Sequence, residues 1–72
     1  MNDCDIMTVF SKNVKRRMVA LDINQKEIAK RAGITEVTVS RYIHGHRKPT
    51  IDILYKIAKA LECSIDDLLT IK

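Results

Sequence analysis

The chain has 72 residues, of which 46% are hydrophobic, and its formal net charge at pH 7 is +4. A chain of this size buries only about 60% of its unfolded surface, so we expect residues 1–72 to form one small domain and exclude a second one. No apolar run reaches the roughly 18 residues of a membrane span, and no basic segment followed by an apolar run opens the chain. These absences predict a cytoplasmic protein that does not contact membranes.

The scarcity of chain-breaking residues predicts an all-α fold. Two glycines and one proline leave few positions for the tight turns of a small sheet. The first helix is expected from about Thr8 to Leu21. Its apolar residues recur at steps of four, four and three, which places them on one buried face: Phe10, Val14, Met18 and Leu21. Cations are expected to cover its outer sides: Lys12, Lys15, Arg16 and Arg17.

The second helix is expected to begin after the cap Asn24 and to end at Gly33. The Asn24 side chain can accept a hydrogen bond from a first-turn amide, and Glu27 can reach back to the cap, which is a capping-box pattern. The apolar residues of this helix form a narrow buried stripe: Ile28, Ala29 and Ala32. Gly33 enters the left-handed conformation without a Cβ clash, so the chain can turn sharply there.

The third helix is expected to begin after the cap Thr35 and to run to about His44. At about 100° per residue, one side of this helix is apolar: Val39, Tyr42 and Ile43. The opposite side carries a carboxylate, methyl groups, a hydroxyl and a guanidinium, which are groups that can discriminate base edges in a major groove: Glu36, Val37, Ser40 and Arg41. The pattern predicts a buried side and a DNA-reading side.

Two further helices are expected after a cationic loop that ends at Pro49. Thr50 caps the fourth helix, whose apolar residues are expected to face the core: Ile51, Leu54, Ile57, Ala58 and Leu61. Ser64 and Asp67 open a short fifth helix, whose apolar residues close the domain: Ile65, Leu68 and Leu69.

Positive charge is concentrated around the second and third helices. Residues 12–48 carry ten Lys or Arg and three acids, net +7, whereas the remaining residues carry three Lys and six acids, net −3. Such a distribution suits a polyanionic partner, although an ordinary solvated basic surface gives the same pattern.

The cysteines and histidines predict neither a disulfide nor a metal site. Cys4 and Cys63 lie far apart without Cys-x-x-Cys spacing, which favours two reduced thiols. His44 and His46 lack the further ligands that zinc or copper needs. We expect no cofactor, and phosphate contact or solvation for the two histidines.

The ordered motifs from Ile23 to Pro49 resemble the helix-turn-helix of the Cro and phage-repressor family. They are an Asn-Gln-x-Glu-Ile-Ala opening, an Ala-Gly-Ile-Thr turn and a Gly-x-x-x-Pro exit. Each motif is common by chance, whereas their order is specific. The resemblance extends from about Phe10 to Leu69 and implies the compact five-helix domain of the lambda-repressor-like type, with its helix-turn-helix core at residues 24–45.

The resemblance implies a sequence-specific, non-enzymatic transcription regulator, a repressor that binds a palindromic operator in double-stranded DNA as a homodimer. Bases would be read by Glu36, Val37, Ser40 and Arg41. Phosphates would be held by Asn24, Gln25, Lys26, Thr35, Arg47 and Lys48. The family also places the end of the first helix near the DNA backbone, which makes Arg16 a further candidate. No small-molecule ligand is evident.

The chain departs from the family pattern at two places. Many relatives carry a partly buried Arg–Glu pair where this chain has Met18 and Ile43. An exchange of both partners for apolar residues is often neutral or stabilising, because the cost of desolvating the charges disappears. Glu36 and Val37 stand where relatives often carry amides, so the operators of those relatives are not expected to apply here.

A protein-interaction module, such as an antitoxin or an adaptor, is the alternative function. Its sequence signal would be an exposed apolar patch, and only the C-terminal residues offer one: Leu68, Leu69 and Ile71. Core packing or self-association explains these residues more simply, so we expect a dimer contact there. Catalysis has the least support, because the chain has no nucleophile-base motif and no phosphate-cradling glycine loop.

Overall fold

The computed structural model describes residues 6–70, and within that range it contains five α-helices and no strand. The helices are α1 (Ile6–Leu21), α2 (Gln25–Ala32), α3 (Glu36–Ile43), α4 (Ile51–Ala60) and α5 (Ile65–Leu69). The expected all-α, five-helix class is confirmed. The first helix begins at Ile6 rather than at Thr8. None of the helices described is long and apolar enough to cross a bilayer.

Local capping explains where four of the helices begin. The side-chain oxygens of Asn24, Thr35, Thr50 and Ser64 accept from the backbone amide three residues later, at 2.9, 3.1, 3.3 and 3.0 Å. Each bond satisfies an amide that has no partner inside the helix.

The capping box expected at Asn24 forms only in part, which corrects the prediction for Glu27. Its carboxylate accepts from Nε of Arg31, 2.8 Å away and one turn later. A guanidinium competes well for this carboxylate, because a hydrogen bond between charged groups is stronger than one to a neutral amide. A reciprocal box does form at Ser64, whose amide donates to Asp67 over 3.1 Å.

Four of the five helices, α1 to α4, are followed within two residues by a left-handed backbone conformation. Gly33 and Gly45 have φ of 72° and 75°, and the sequence predicts this conformation for Gly33. Asp22 and Glu62 take the same conformation after α1 and α4, with φ of 56° and 58°. A Cβ atom makes this conformation less favourable by roughly 1 kcal/mol. The residue types Asp and Glu therefore do not predict it at these two positions.

The core lies where the five helices meet. Its fully buried side chains come from every helix and from the end of α4: Phe10, Val14, Ile28, Val39, Ile57, Leu61 and Leu68. Burial of each such side chain contributes about 1.5–3 kcal/mol. The predicted stripe of α1 is fully buried only in its first half, since Met18 and Leu21 are half-buried.

Ile51 does not enter the core, which corrects its assignment. Its side chain is 78% exposed, whereas Ile57 and Ala58 on the same helix are each 2% exposed. Ile51 lies in the first turn of α4 at the margin of the buried side, and no described element covers it. Periodicity alone does not reveal how far along a helix its neighbours extend.

Asn13 is a buried polar residue on the core side of α1. It is 5% exposed, and its amide nitrogen donates to the carbonyl oxygens of Leu68 and Thr70, both at 2.9 Å. These acceptors stand at the end of α5, where helix carbonyls have no intrahelical donor. Asn13 therefore fastens α5 to α1.

Two arginines fasten α4 to its neighbours, which corrects the assignment of Arg17 as a cation that only covers the outer side of α1. Arg17 of α1 donates to the carbonyl of Leu61 through Nε and Nη2, at 3.2 and 3.0 Å. Arg31 of α2 donates to the carbonyl of Ala60 at 2.9 Å. Cations at a helix C-terminus satisfy its last carbonyls and complement its dipole.

We predict that Asn13→Ala lowers the free energy of unfolding by about 2 kcal/mol, because carbonyls at the end of α5 lose their buried donor. Lys12→Ala, at the exposed neighbouring position, should change it by less than about 0.5 kcal/mol. Urea denaturation measures both variants. Equal losses would show that the contacts of Asn13 with α5 do not stabilise the fold.

We also predict a specific pH response at Glu27. The hydrogen bond from Arg31, together with the positive charges of Arg31 and Lys30, holds the pKa of the Glu27 carboxyl below its ordinary value. A lowered pKa means that Glu27 stabilises the fold above its unfolded-state pKa, and that this contribution is lost as the pH falls through the folded-state pKa. Arg31→Gln should raise the pKa of Glu27 toward its ordinary value.

The matched control for this prediction is Lys30→Gln, which removes one positive charge without removing the hydrogen bond. It should raise the pKa of Glu27 less than Arg31→Gln does. Titration of the Glu27 carboxyl carbon by NMR measures both changes. Equal rises would contradict the hydrogen bond as the main cause.

Candidate nucleic-acid interface

The two sides of α3 differ as the sequence predicts. Val39, Tyr42 and Ile43 are 1%, 4% and 3% exposed and face the core. The four candidate base-reading residues lie on the other side. Glu36 and Arg41 are exposed, Val37 is 61% exposed and Ser40 is half-buried. One edge of α3 is therefore open to a ligand along its whole length.

The helix α3 is capped at its start and is bonded to α1 at its end. At its start, the Thr35 hydroxyl accepts from the amide of Thr38 and lies 2.8 Å from the Thr38 hydroxyl. At its end, the Ser11 hydroxyl of α1 donates to the carbonyl of Ile43. The helix packs against α1 and α2 between these points. The open edge is thus presented by a fixed element rather than by a mobile loop.

His44 contacts Ser40, which the sequence did not indicate. Nδ1 of His44 lies 2.8 Å from the Ser40 carbonyl oxygen and 3.2 Å from the Ser40 hydroxyl. Because the carbonyl can only accept, Nδ1 carries the proton and donates. The Ser40 hydroxyl can accept from the same N–H, and its own hydrogen stays available to a ligand. The spacing of four residues between Ser40 and His44 could have indicated this contact, since residues so spaced are neighbours on a helix.

Arg41 is the cation of this edge. It is exposed, and its guanidinium has no hydrogen-bond or ion-pair partner among residues 6–70. The Glu36 carboxylate is likewise without an ion pair in the described part of the chain. Neither group would have to break an internal contact in order to bind a ligand.

The candidate phosphate ligands fall into two groups. Asn24, Gln25 and Lys26 stand at the start of α2, where the first-turn amides point out of the helix. Asn24 uses its oxygen to cap the helix, so its amide nitrogen remains as a donor. The Thr35 hydroxyl is engaged with Thr38, so this residue primarily caps α3.

Arg47 and Lys48 form the second group, in the loop between α3 and α4. Both are exposed. The loop turns at Gly45, and the amide of His46 donates to the carbonyl of Arg41 at 2.8 Å. This bond places the loop directly beyond the open edge of α3.

The cations of residues 12–48 separate into two classes. Arg16, Arg17 and Arg31 donate to atoms of the domain itself, and the Arg16 contact is a 3.4 Å bond to Asn13. The side chains of seven others are exposed and form no hydrogen bond or ion pair with the residues described: Lys12, Lys15, Lys26, Lys30, Arg41, Arg47 and Lys48. The predicted basic surface is therefore carried by this second class.

A cationic cleft beside the end of α3 was not predicted. It has a volume of about 370 Å³, and Lys12, Lys15 and His44 are among its lining residues. Lys12 and Lys15 are three residues apart and therefore lie on one face of α1. That spacing could have indicated the cleft, but the position of α3 against this face could not be read from the sequence.

The structure offers no metal cluster in the part of the chain it describes. No group of three or more His, Cys, Asp or Glu that could hold an ion occurs in residues 6–70. The ring centroids of His44 and His46 are 6.3 Å apart. Cys63 is half-buried and packs against the core, and Cys4 lies outside the described residues.

The C-terminal residues offer less surface for a dimer contact than expected. Leu68 is 0% exposed and is reassigned to the core, since its side chain cannot reach a second chain. Leu69 is half-buried and packs against the core. Ile71 lies outside the described residues.

Comparison with known proteins places the chain in a family. A family model described as helix-turn-helix matches residues 14–68. The chain is 34% identical over 55 residues to an uncharacterized transcriptional regulator in the ATPase CF(0) region of Rhodospirillum rubrum, which covers 76% of the chain and 51% of that protein. It is 41% identical over 49 residues to the cryptic phage CTXphi transcriptional repressor RstR of Vibrio cholerae, covering 68% and 44%. The chain thus spans about half the length of these curated relatives.

A solved structure supports the same assignment. The P22 c2 repressor, crystallised in complex with synthetic operator 9T, matches with a TM-score of 0.78 and 30% identity, covering 85% of this chain and 92% of that one. The two proteins are therefore similar in both fold and sequence over 85% of this chain. The protein belongs to the helix-turn-helix family, of the Cro and phage-repressor type.

Proposed function

We propose that the protein is a sequence-specific transcription repressor that acts in the cytoplasm and binds a palindromic operator as a homodimer. The observation that carries the proposal is the open edge of α3, where Glu36, Val37 and Arg41 are exposed on a helix that packs against α1 and α2 and is bonded to α1 at its end. An α-helix fits the major groove of B-DNA. A fixed helix can place these groups against base edges with little loss of conformational freedom on binding.

Each group on this edge matches a feature of the major groove. Arg41 can donate two hydrogen bonds to a guanine, and Glu36 can accept one from a cytosine. The methyl groups of Val37 can contact a thymine methyl. Val37 is 61% exposed, and its contact with such a methyl would remove apolar surface from water.

Phosphate contacts would set the register of α3 on the duplex. The start of α2 would bind one phosphate through its amides and Lys26, because the positive end of a helix favours an anion. Arg47 and Lys48 would bind on the far side of the open edge. Lys12 and Lys15 in the cationic cleft would extend this positive surface.

A homodimer would join two half-sites. One recognition helix covers only a few base pairs, so two are needed for useful specificity. Half-site centres should lie about 34–36 Å apart, which is one turn of DNA. The relative of known structure was crystallised with an operator, which supports DNA as the ligand of the corresponding surface here.

We predict that Arg41→Ala and Lys48→Ala weaken DNA binding in different ways. Loss of Arg41 should cost roughly 1–3 kcal/mol on the preferred site and relax selection at one base position, because a base contact is lost. Loss of Lys48 should weaken binding to preferred and random DNA alike and reduce the salt slope by about one unit, because a phosphate contact is lost. The preferred site is first obtained by selection from random DNA.

The two variants are matched controls, since each removes one exposed cation. Affinities of both should be measured for both DNAs at several salt concentrations. Equal loss on both DNAs in Arg41→Ala would show that Arg41 does not read a base. Wild-type binding that is weak and independent of salt would reject the DNA-binding proposal and favour the protein-interaction module.

A further inference from the structure

The cationic cleft lies where the open edge of α3 continues past the end of the helix. Val37, Arg41 and His44 follow one another at steps of four and three, so they share one face of α3 and its C-cap. His44 is exposed and lines the cleft, whose volume is about 370 Å³. A duplex that contacts this face through Arg41 would therefore pass the mouth of the cleft.

The opposite wall of the cleft comes from the first half of α1. The Ser11 hydroxyl donates to the carbonyl of Ile43, which fixes this part of α1 against the end of α3. Lys12 follows Ser11, and Lys15 lies one turn after Ser11; both are exposed and line the cleft. No acid is among the described residues that line the cleft. The wall thus brings two ammonium groups to the end of the open edge.

The charged groups near His44 on α3 and in the following loop are also mostly basic. Arg41 lies one turn before His44, whereas Glu36, the acid of this face, lies about 12 Å farther back along the helix axis. The loop after His44 carries three bases: His46, Arg47 and Lys48. The His46 ring centroid is 6.3 Å from that of His44. An anion in the cleft would therefore meet bases on both walls.

The hydrogen bond of His44 to Ser40 leaves the other ring nitrogen for a ligand. Nδ1 donates to the Ser40 carbonyl, 2.8 Å away, so in the neutral ring Nε2 carries a lone pair and can only accept. Nε2 has no hydrogen-bond partner among residues 6–70. The charged oxygens of a backbone phosphate can also only accept. Such an oxygen can therefore bond to Nε2 only after Nε2 has gained a proton.

We infer that the cationic cleft binds one phosphate of the DNA backbone through Nε2 of protonated His44 together with Lys12 and Lys15, so that DNA binding takes up a proton. The inference rests on the proposed function and adds a dependence on pH to it. The protonated ring binds the phosphate better, and by reciprocity a bound phosphate favours the protonated ring. Affinity should therefore be high at low pH and fall as the pH rises through the range in which histidine loses its proton, about pH 5 to 8. Lysines keep their charge throughout this range.

The test measures affinity for the preferred duplex at about pH 6 and about pH 8, at one salt concentration. Wild-type affinity should be about tenfold lower at the higher pH, because one hydrogen bond to a charged group is lost. His44→Gln cannot gain a proton, so its affinity should change less than about twofold. His46→Gln is the matched control, because it removes the other of the two histidines of the chain, which does not line the cleft. It should keep the wild-type pH dependence.

The lysines of the cleft are tested through the same pH dependence. Lys12→Gln and Lys15→Gln should each weaken binding to preferred and random DNA alike and reduce the salt slope by about one unit. They should also reduce the pH effect, because a phosphate that is held less firmly bonds to His44 less often. Lys30→Gln removes an exposed cation of α2 that does not line the cleft, and it should leave the pH effect unchanged. A pH effect that all three variants change equally, or that none changes, would overturn the shared site.

Nitrogen-15 NMR of the His44 ring detects the proton directly. At a pH where the ring is neutral in the free protein, addition of the duplex should protonate Nε2. Inorganic phosphate at the same phosphate concentration should not, because a free ion is not held at the cleft by the remaining contacts of a duplex. Equal protonation by inorganic phosphate would assign the cleft to a free ion and overturn the DNA backbone as its ligand.

Failure of this inference is distinguishable from failure of the proposed function. Salt-dependent binding whose pH response is the same in the wild type and in His44→Gln would reject the His44 contact while the repressor proposal stands. A wild type that binds no DNA at either pH would reject both. Circular dichroism of each variant should match the wild type, since all the substituted side chains are exposed.

Discussion

An eight-residue helix is not stable by itself in water, so α3 depends on the packing of its inner side. Val39, Tyr42 and Ile43 bury that side against α1 and α2. Their burial supplies the free energy that fixes the helix, and it also decides which residues remain outside. The open edge of α3 is therefore a consequence of core packing, and a change in the core would alter it without touching an exposed residue.

Polar contacts at helix ends complete this packing. Asn13, Arg17 and Arg31 come from α1 and α2, and each donates to a carbonyl at or just beyond the end of α4 or α5. A small domain has little apolar surface to bury, so unsatisfied carbonyls at its margins would be costly. Asn13 and Arg31 reinforce helix pairs that also pack directly, α1 with α5 and α2 with α4, whereas Arg17 joins α1 to the end of α4.

The same contacts divide the cations by role. Arg17 and Arg31 are held within the domain, whereas Arg41, Arg47 and Lys48 stand exposed around the open edge of α3. The amino-acid composition does not distinguish these two classes of cation. Only the second class can bind an anion without breaking contacts that stabilise the fold, and so the number of basic residues overstates the positive surface available to an anionic ligand.

The family resemblance and the pattern of helix caps and apolar residues predict the same helix-turn-helix at residues 24–45. The Ala-Gly-Ile-Thr turn identifies the helix-turn-helix, and Gly33 adopts the left-handed conformation that such a turn needs, with φ of 72°. Met18 and Ile43, which replace a charged pair common in relatives, are half-buried and buried, respectively. Apolar side chains are compatible with both positions, because each is at least partly buried.

The sequence by itself determined the five helices, the caps at Asn24, Thr35 and Thr50, and the two sides of α3. These features depend on residues within one or two turns of each other, so local spacing contains the information. Only the tertiary structure decided that Asn13 is buried beside Leu68, 55 residues away, and that Ile51 is left outside. Such outcomes depend on which distant helix covers a given side chain, and periodicity does not encode that.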